Sequence, residues 1–574
     1  MTEPSASSDI TRGRGALLAG AAPVAVQIFR DVIAEAPADL EARYWLASAL
    51  LGARDPQAEA AMDKARTLHA LTEAHALGVD IGRCQTDAAY AGQLADQFYA
   101  HRCVALAGVL RGLALANGAA DAQSLLGYGL ALQHQGRIDE ACGAFSAAAS
   151  ANPSSAVRQF LIYPQLFRED GDARHFAAAR DWVALHAPAH PAAPHANPPR
   201  EARKLRIGYV APRFAGCQLE QFMAPLLDNH DPAAVEVVLY PQQAATEAAW
   251  PSWIQTHPIG GLDDRAAAAL IRADRIDVLA DCWGHTAGSR LPVFAHRPAP
   301  VQVAWINFIQ TTGLDQMDYV LHADASADLT GMEAVYTERL WPIGPVFNAF
   351  RPAAGRLAPT RAPALQTGQV TFGSFNHPAK LSDATLDVWA AALRQAPNAR
   401  LLLKYGYFID PVLQRVTQAR FAARGVAPER IAFAGHSGGA AYFEAFGQID
   451  LMFDCWPAPG STTTLDALSN GVPVLAKPTP TSGGLYVRAI LNAAGLADLA
   501  CDSAEAFVGK AAELAADANK LDALRARVRP GFDNGPLADE AGFTRRVEAA
   551  FGAMFDLWRS RAPAPPLAAV KGAA

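Results

Sequence analysis

Asp454-Cys-Trp-Pro-Ala-Pro-Gly-Ser-Thr-Thr-Thr-Leu-Asp466, running on through Ala467-Leu-Ser-Asn-Gly-Val-Pro473, is the stretch that decides the fold. The run 450–453 ahead of it is short and apolar, as a strand buried on both faces must be. Pro457, Pro459 and Gly460 end that strand, and the hydroxyl residues Ser461, Thr462 and Thr463 then open a helix. Gly471-Val-Pro473 turns the chain into a second apolar run, 472–475. Backbone N–H groups at the start of such a helix are unpaired and point to where a phosphate can sit. Asp466, one turn on, is placed to accept from ribose hydroxyls. From this stretch alone, an ordinary Ser/Thr-capped helix reads the same way.

Outward from that point the rhythm repeats. Runs with strand character at 370–374, 400–404 and 430–433 alternate with helical spacing at 381–395 and 442–447. An earlier set lies at 205–210, 235–240, 276–280 and 301–305, with helical spacing at 264–274. Strand–helix alternation of this kind predicts parallel sheets covered on both faces. Two Rossmann-like units are therefore expected, at 203–360 and 361–545, with a ligand in the cleft at the carboxyl ends of their strands. Residues 546–574 read as a terminal helix and tail, able to return and brace the first unit.

Residues 16–185 read as helix throughout. The sharpest segment is 122–155, where Leu125, Tyr128, Gly129, Leu132, Gly136, Ala141, Phe145, Ala148 and Pro153 recur as a helix–turn–helix hairpin requires. Gly129 and Ala141 allow close approach, Leu132 and Phe145 fill the space around it, and Gly136 ends the first helix. Ala25, Phe29 and Pro37 form a poorer copy. The pattern resembles a tetratricopeptide repeat. A non-repetitive helical bundle fits as well, but only stacked repeats predict a concave groove for a polypeptide. The proline-rich segment 186–202 reads as an extended surface linker, its histidines as filler, which makes the helical module separable from the donor-binding units.

With 51% hydrophobic residues and a net charge of −7, the 574-residue chain has ample core and no basic excess, so no nucleic-acid partner is expected. The seven cysteines show no CxxC pair and suit a reducing, cytoplasmic setting. Between Arg12 and Phe29 the apolar run is interrupted by Gln27 and is too short to cross a membrane, so no membrane insertion is expected.

The assembled strings resemble the bacterial members of the O-GlcNAc transferase family, tetratricopeptide-repeat proteins carrying a GT-B fold glycosyltransferase. The matching segments are Ile207-Gly-Tyr-Val210, the residues 281–290, Phe294 to Trp305, Thr311-Thr-Gly313 with Met317-Asp-Tyr319, Phe375-Asn-His-Pro-Ala-Lys380 and the block 454–473. The resemblance implies that Lys380 holds the donor diphosphate and offsets charge on the leaving nucleotide. It makes His377 a polar donor contact, and Ser461, Thr462 and Thr463 diphosphate ligands. Asp466 becomes the ribose ligand and Tyr442 a base-stacking ring. His285 can be a satisfied loop residue or a catalytic group exchanging a proton near pH 7.

The sequence also departs from the family. Cys217 and Gln221 stand where members carry histidines, and Asn307-Phe-Ile-Gln310, with Thr311 beside it, replaces a Gly-Tyr-Pro-Gly loop at the donor sugar. Gly438 and Gly439 replace a proline and a lysine near the nucleoside. The resemblance implies inverting, metal-independent transfer from a nucleotide sugar to Ser/Thr of a protein held by the helical module. The donor is a substrate, and no cofactor is implied. Three readings stay open: a UDP-linked GlcNAc donor, a CMP-linked nonulosonic acid placed on flagellin, and a non-catalytic scaffold. The altered loops predict weak activity with UDP-GlcNAc.

Overall fold

The computed structural model describes residues 6–191, 194–200, 203–243, 250–306, 308–324 and 331–561. Among these, paired helices come first and two parallel sheets follow, the TPR-like array and GT-B arrangement expected from the sequence. The first sheet runs β1 (Leu205–Ala211), β2 (Val235–Pro241), β3 (Gln255–Thr256), β4 (Val278–Asp281), β5 (Val301–Ala304), β6 (Tyr319–His322) and β7 (Arg339–Pro342). Its spatial order is β3-β2-β1-β4-β5-β6-β7, every pairing parallel. The second holds β8 (Thr371–Ser374), β9 (Arg400–Lys404), β10 (Ile431–Ala434), β11 (Leu451–Phe453) and β12 (Val474–Leu475), ordered β10-β9-β8-β11-β12. Each order reverses once, β1 against β4 and β8 against β11, and the reversals open the crevices in which such sheets bind ligands.

The hairpin at 122–155 forms as helices Ala122–His134 and Ile138–Ala151. A Cβ on Gly129 would stand 2.5 Å from the Phe145 ring, so this contact needs glycine. The same glycine–phenylalanine contact recurs between Gly13 and Phe29, sixteen residues apart as before. Gly136, at φ +80, ends the first helix in the left-handed conformation that glycine adopts without strain.

The helical array is not a separable module, contrary to the sequence reading. Its helices Leu40–Gly52, Ala58–Ala76 and Val104–Ala116 pack on helix Pro411–Ala422 of the second unit. Tyr44, Ala47, Met62, Ala65, Val416 and Ala419 share one apolar cluster there. Asp410, fully buried, accepts from the backbone N–H of Ala105 (2.6 Å) and Leu106 (3.4 Å) and also from Val412 (2.9 Å) and Leu413 (3.2 Å). One carboxylate thus caps a helix of the array and a helix of the second unit. At its other end the array seats on the first unit. Helix Gly171–His186 brings Ala179, Trp182 and Val183 into the cluster of Val210, Leu279 and Leu291. The linker is pinned as well. Asn197 is buried and its amide donates to the Arg275 and Ile276 carbonyls and to Asp277.

The terminal helix Glu540–Ser560 does return to the first unit, where Phe543 stacks on Trp305 at 5.9 Å and Glu548 meets His230 at 2.8 Å. No helix of the described residues is long and apolar enough to cross a membrane.

Candidate active site

In the stretch quoted at the outset, β11 gives way to a turn and then to helix Thr462–Ser469. The turn is folded by Asp454, which accepts through Oδ1 from Gly460 N (2.7 Å), Cys455 N (2.9 Å) and Asn376 Nδ2 (3.2 Å). A Cβ on Gly460 would sit 2.6 Å from the Thr464 hydroxyl and 2.7 Å from that of Thr463, so the chain approaches itself too closely for any side chain. Ser461 precedes the helix yet its side chain does not cap it. Its hydroxyl turns instead to Tyr486 Oη at 3.3 Å, and Thr463 Oγ1 turns to Asn376 Oδ1 at 3.2 Å. The helix start is left open to an anion.

Lys380 lies on the short turn Pro378–Lys380 that follows β8 and reaches across to the same place, its Nζ donating to the Pro459 carbonyl at 2.6 Å. Burial pushes its ammonium below the ordinary lysine range, with Cys455 and Asp454 pulling it partly back. Lysine and helix start share a small cleft of about 150 Å³. All three parts of the molecule wall it. Asp172 of the array accepts from Ser482 N and Oγ of the second unit, both at 2.7 Å, and Gln310 of the first unit donates to that same hydroxyl at 2.8 Å. Phe308 and Ile309 both line the cleft, and the Phe308 ring also packs on His175 at 5.2 Å.

Asp466 is buried, with Oδ2 accepting from Tyr442 Oη at 3.0 Å and Gln221 of the first unit close to the carboxylate. Among the described residues Oδ1 has no hydrogen-bond partner, and burial raises the carboxyl to about 6. An orphaned acceptor beside an open helix start suits a ribose hydroxyl. The Tyr442 ring meets Phe443 and Phe446 edge-on, and its hydroxyl is engaged by Asp466.

A pH dependence follows. Above about pH 6 the Asp466 carboxylate is charged and free to accept from a hydroxyl such as that of a ribose; below it a proton competes for the site. Nucleotide affinity, measured by calorimetry between pH 5 and 8, is expected to rise through pH 6 and then level off. Asp466→Asn should lose about 10-fold in affinity at pH 7.5 and flatten the profile. An unchanged profile in this variant would show that another group controls it.

Other sequence candidates lie elsewhere. His285 does not meet the expectation of a group titrating near neutrality. It is buried against Trp182 and His175 of the array, its Nε2–H donates to the Thr312 carbonyl at 2.7 Å, and desolvation pushes it down to about 4. His377 has no nitrogen to spare for a donor: Nδ1 accepts from Ala379 N and Nε2 meets His134, both at 2.9 Å. Thr311 is buried and spends its hydroxyl on Glu338 at 2.6 Å. Cys217 Sγ bonds the Arg213 carbonyl at 3.8 Å, away from the residues around Lys380. Asn307 lies outside the described residues. Sequence reasoning missed Asp454, Ser482 and the wall supplied by Tyr163, Arg168 and Asp172. Asp454 stood inside the quoted stretch, and its place between a buried strand and a tight turn was the available signal. The wall residues carried no local signal.

Two facing parallel-sheet units, with a lysine and an uncapped helix start at their cleft, define a GT-B glycosyltransferase fold. The chain belongs to glycosyl transferase family 41, whose description matches residues 152–347 and 357–546. It is similar to the probable UDP-N-acetylglucosamine--peptide N-acetylglucosaminyltransferase SPINDLY of Solanum lycopersicum, 31% identical over 422 residues, covering 71% of this chain and 44% of that protein. The Arabidopsis thaliana protein SEC, also described as a probable enzyme of that kind, is 27% identical over 371 residues, covering 62% and 37%. The chain thus spans less than half the length of these curated relatives. A solved structure, a mutant of the Thermobaculum terrenum O-GlcNAc transferase, superposes with a TM-score of 0.73 at 26% identity, covering 98% of this chain and all of that one.

Proposed function

We propose that the protein is an inverting O-glycosyltransferase that moves a sugar from a nucleotide diphosphate donor to Ser or Thr hydroxyls of a protein. The observation that carries this reading is the convergence of Lys380 Nζ on the turn at Pro459, directly before the uncapped helix Thr462–Ser469. That pair is an anion site placed where a leaving diphosphate gathers charge. The acceptor oxygen attacks the anomeric carbon, the bond from that carbon to the phosphate oxygen breaks, and the electron pair leaves with the nucleotide. The hydroxyl proton passes to the departing phosphate, since burial makes His285 a weak base, pushed down to about 4, and its Nε2–H is held by the Thr312 carbonyl. Asp466 holds the ribose, and the array that walls the cleft presents the acceptor polypeptide.

The printed names of the relatives favour UDP-linked N-acetylglucosamine. One observation favours the second reading, a CMP-linked nonulosonic acid and flagellin as acceptor. Gly438 and Gly439 supply no side chain where the resemblance places a proline and a lysine, and a Cβ at either would meet nothing within 4 Å. A thermal-shift panel of UDP, CMP, UDP-GlcNAc and CMP-linked sugars separates the two, because a ligand of the folded form raises its apparent stability. Stabilisation by UDP-GlcNAc with transfer to a protein supports the first reading, and a response to CMP compounds alone replaces it with the second. No response to any nucleotide would leave only a scaffold.

A further inference from the structure

His377 and His134 come from different parts of the molecule and meet at 2.9 Å, His377 immediately before the Lys380 turn and His134 at the end of helix Ala122–His134 in the array. The protons in this contact can be assigned from its ends. Ala379 N–H donates to His377 Nδ1, so His377 carries its proton on Nε2 and donates to His134 Nδ1. His134 must then carry its own proton on Nε2, which donates to Tyr99 Oη at 2.8 Å. Tyr99 lies close to Tyr407 of the second unit. The rings are packed as well as bonded. His134 stacks on Tyr407 with centroids 4.5 Å apart and planes 26° from parallel, and His377 meets Tyr405 edge-on at 4.8 Å.

What this network holds is the turn itself. His377 Nδ1 is the side-chain cap of Pro378–Lys380, and Lys380 N–H returns to the His377 carbonyl at 2.9 Å. A His377 with its proton on Nδ1 would place a donor against the Ala379 N–H and lose the cap. The array also presses on the turn directly, since a Cβ on Gly136 would stand 3.3 Å from the Pro378 carbonyl. Both imidazoles are kept neutral by burial, His134 falling to about 4, so the donor–acceptor order persists at neutral pH.

We propose that His134 is a positioning residue for the donor site: by accepting from His377 Nε2 it fixes the tautomer that caps the Lys380 turn, and so aims Lys380 Nζ at the diphosphate. The inference rests on the reading of Lys380 as the diphosphate ligand. It gives the array a part in donor binding as well as in holding an acceptor.

The test compares variants of the full chain by calorimetry, with whichever of UDP and CMP the unaltered protein binds, and by donor KM and kcat. His134→Phe keeps a ring against Tyr407 but supplies neither an acceptor nor a donor. It should weaken nucleotide binding about 10-fold and lower kcat by a similar factor or more, with the thermal midpoint much less affected. His134→Gln offers a carbonyl and an amide N–H in their place and should restore affinity to within about 3-fold. Phenylalanine and wild-type proteins binding nucleotide equally would overturn the proposal. Should His134→Phe fail to fold, Tyr99→Phe decides. It removes only the acceptor that orients His134, and unchanged affinity there overturns the proposal too. Lys380→Ala in the same titration separates the two ideas. If it weakens binding while His134→Phe does not, the positioning role alone is wrong; if Lys380→Ala binds as tightly as wild type, the diphosphate reading falls and this proposal with it.

Discussion

Lys380→Ala is expected to lower transfer by about 100-fold or more, while the thermal midpoint stays near that of the unaltered protein. The lysine costs something to keep where it is: burial disfavours its charge, and among the described residues its ammonium bonds only the Pro459 carbonyl. In the proposed reaction that cost is offset when a diphosphate arrives, and most of all when the bond to the sugar breaks and charge gathers on the phosphate oxygen. Its removal should therefore depress kcat more than donor affinity. Lys380→Arg should not restore the rate, because a planar fork cannot take the place of a compact ammonium in a buried turn. The decisive measurement is single-turnover transfer with saturating donor. A variant keeping more than half the wild-type rate would remove Lys380 from the chemistry.

The largest effect on stability is expected at Asp410→Ala. Its carboxyl, raised to about 6 by burial, is charged at pH 7.5 and is held by four backbone N–H groups at the starts of two helices. Truncation leaves those donors buried without an acceptor. A cap is worth about 1 kcal/mol and a bond to a buried charge somewhat more, so the loss is about 3 kcal/mol in all. A chain of several parts does not melt in one step, so the signature is local as well as global. Amide exchange at Ala105, Leu106, Val412 and Leu413 should accelerate together, and the first melting transition should move down by several degrees. Protection lost at Val412 and Leu413 alone would mean that the array does not depend on this carboxylate.

The sheets were largely legible in the sequence. Runs of apolar residues at 205–210, 235–240 and 400–404 became β1, β2 and β9 almost residue for residue, because buried parallel strands leave little else for a sequence to be. β6 and β7 were not picked out as strands. Each has four residues, and β7 ends on Pro342, which reads as a break. At the site, Lys380 and the helix start were visible because their chemistry is local to a turn and a cap. His285 and His377 were recognisable as histidines in cleft loops, but their surroundings come from helices more than a hundred residues upstream, at Trp182 and His134. The linker misled for the same reason. Proline and alanine predict an extended chain correctly, and nothing in them reveals that Asn197 is buried beneath it.

The array's two attachments carry a mechanical consequence. One end is capped by Asp410 on the second sheet unit, the other lies against the first through Trp182 and Val183, and between them Asp172 meets Ser482 and Gln310 at the cleft. The helices form a strut across the gap, with both feet bolted down. For the two sheets to rock apart, one foot must strip its apolar footing or a buried carboxylate must surrender its donors. The cheaper movements are small ones at the rim, in the turns around Lys380 and Ser461. Any ligand of the cleft enters past a rim that the array braces on both sides.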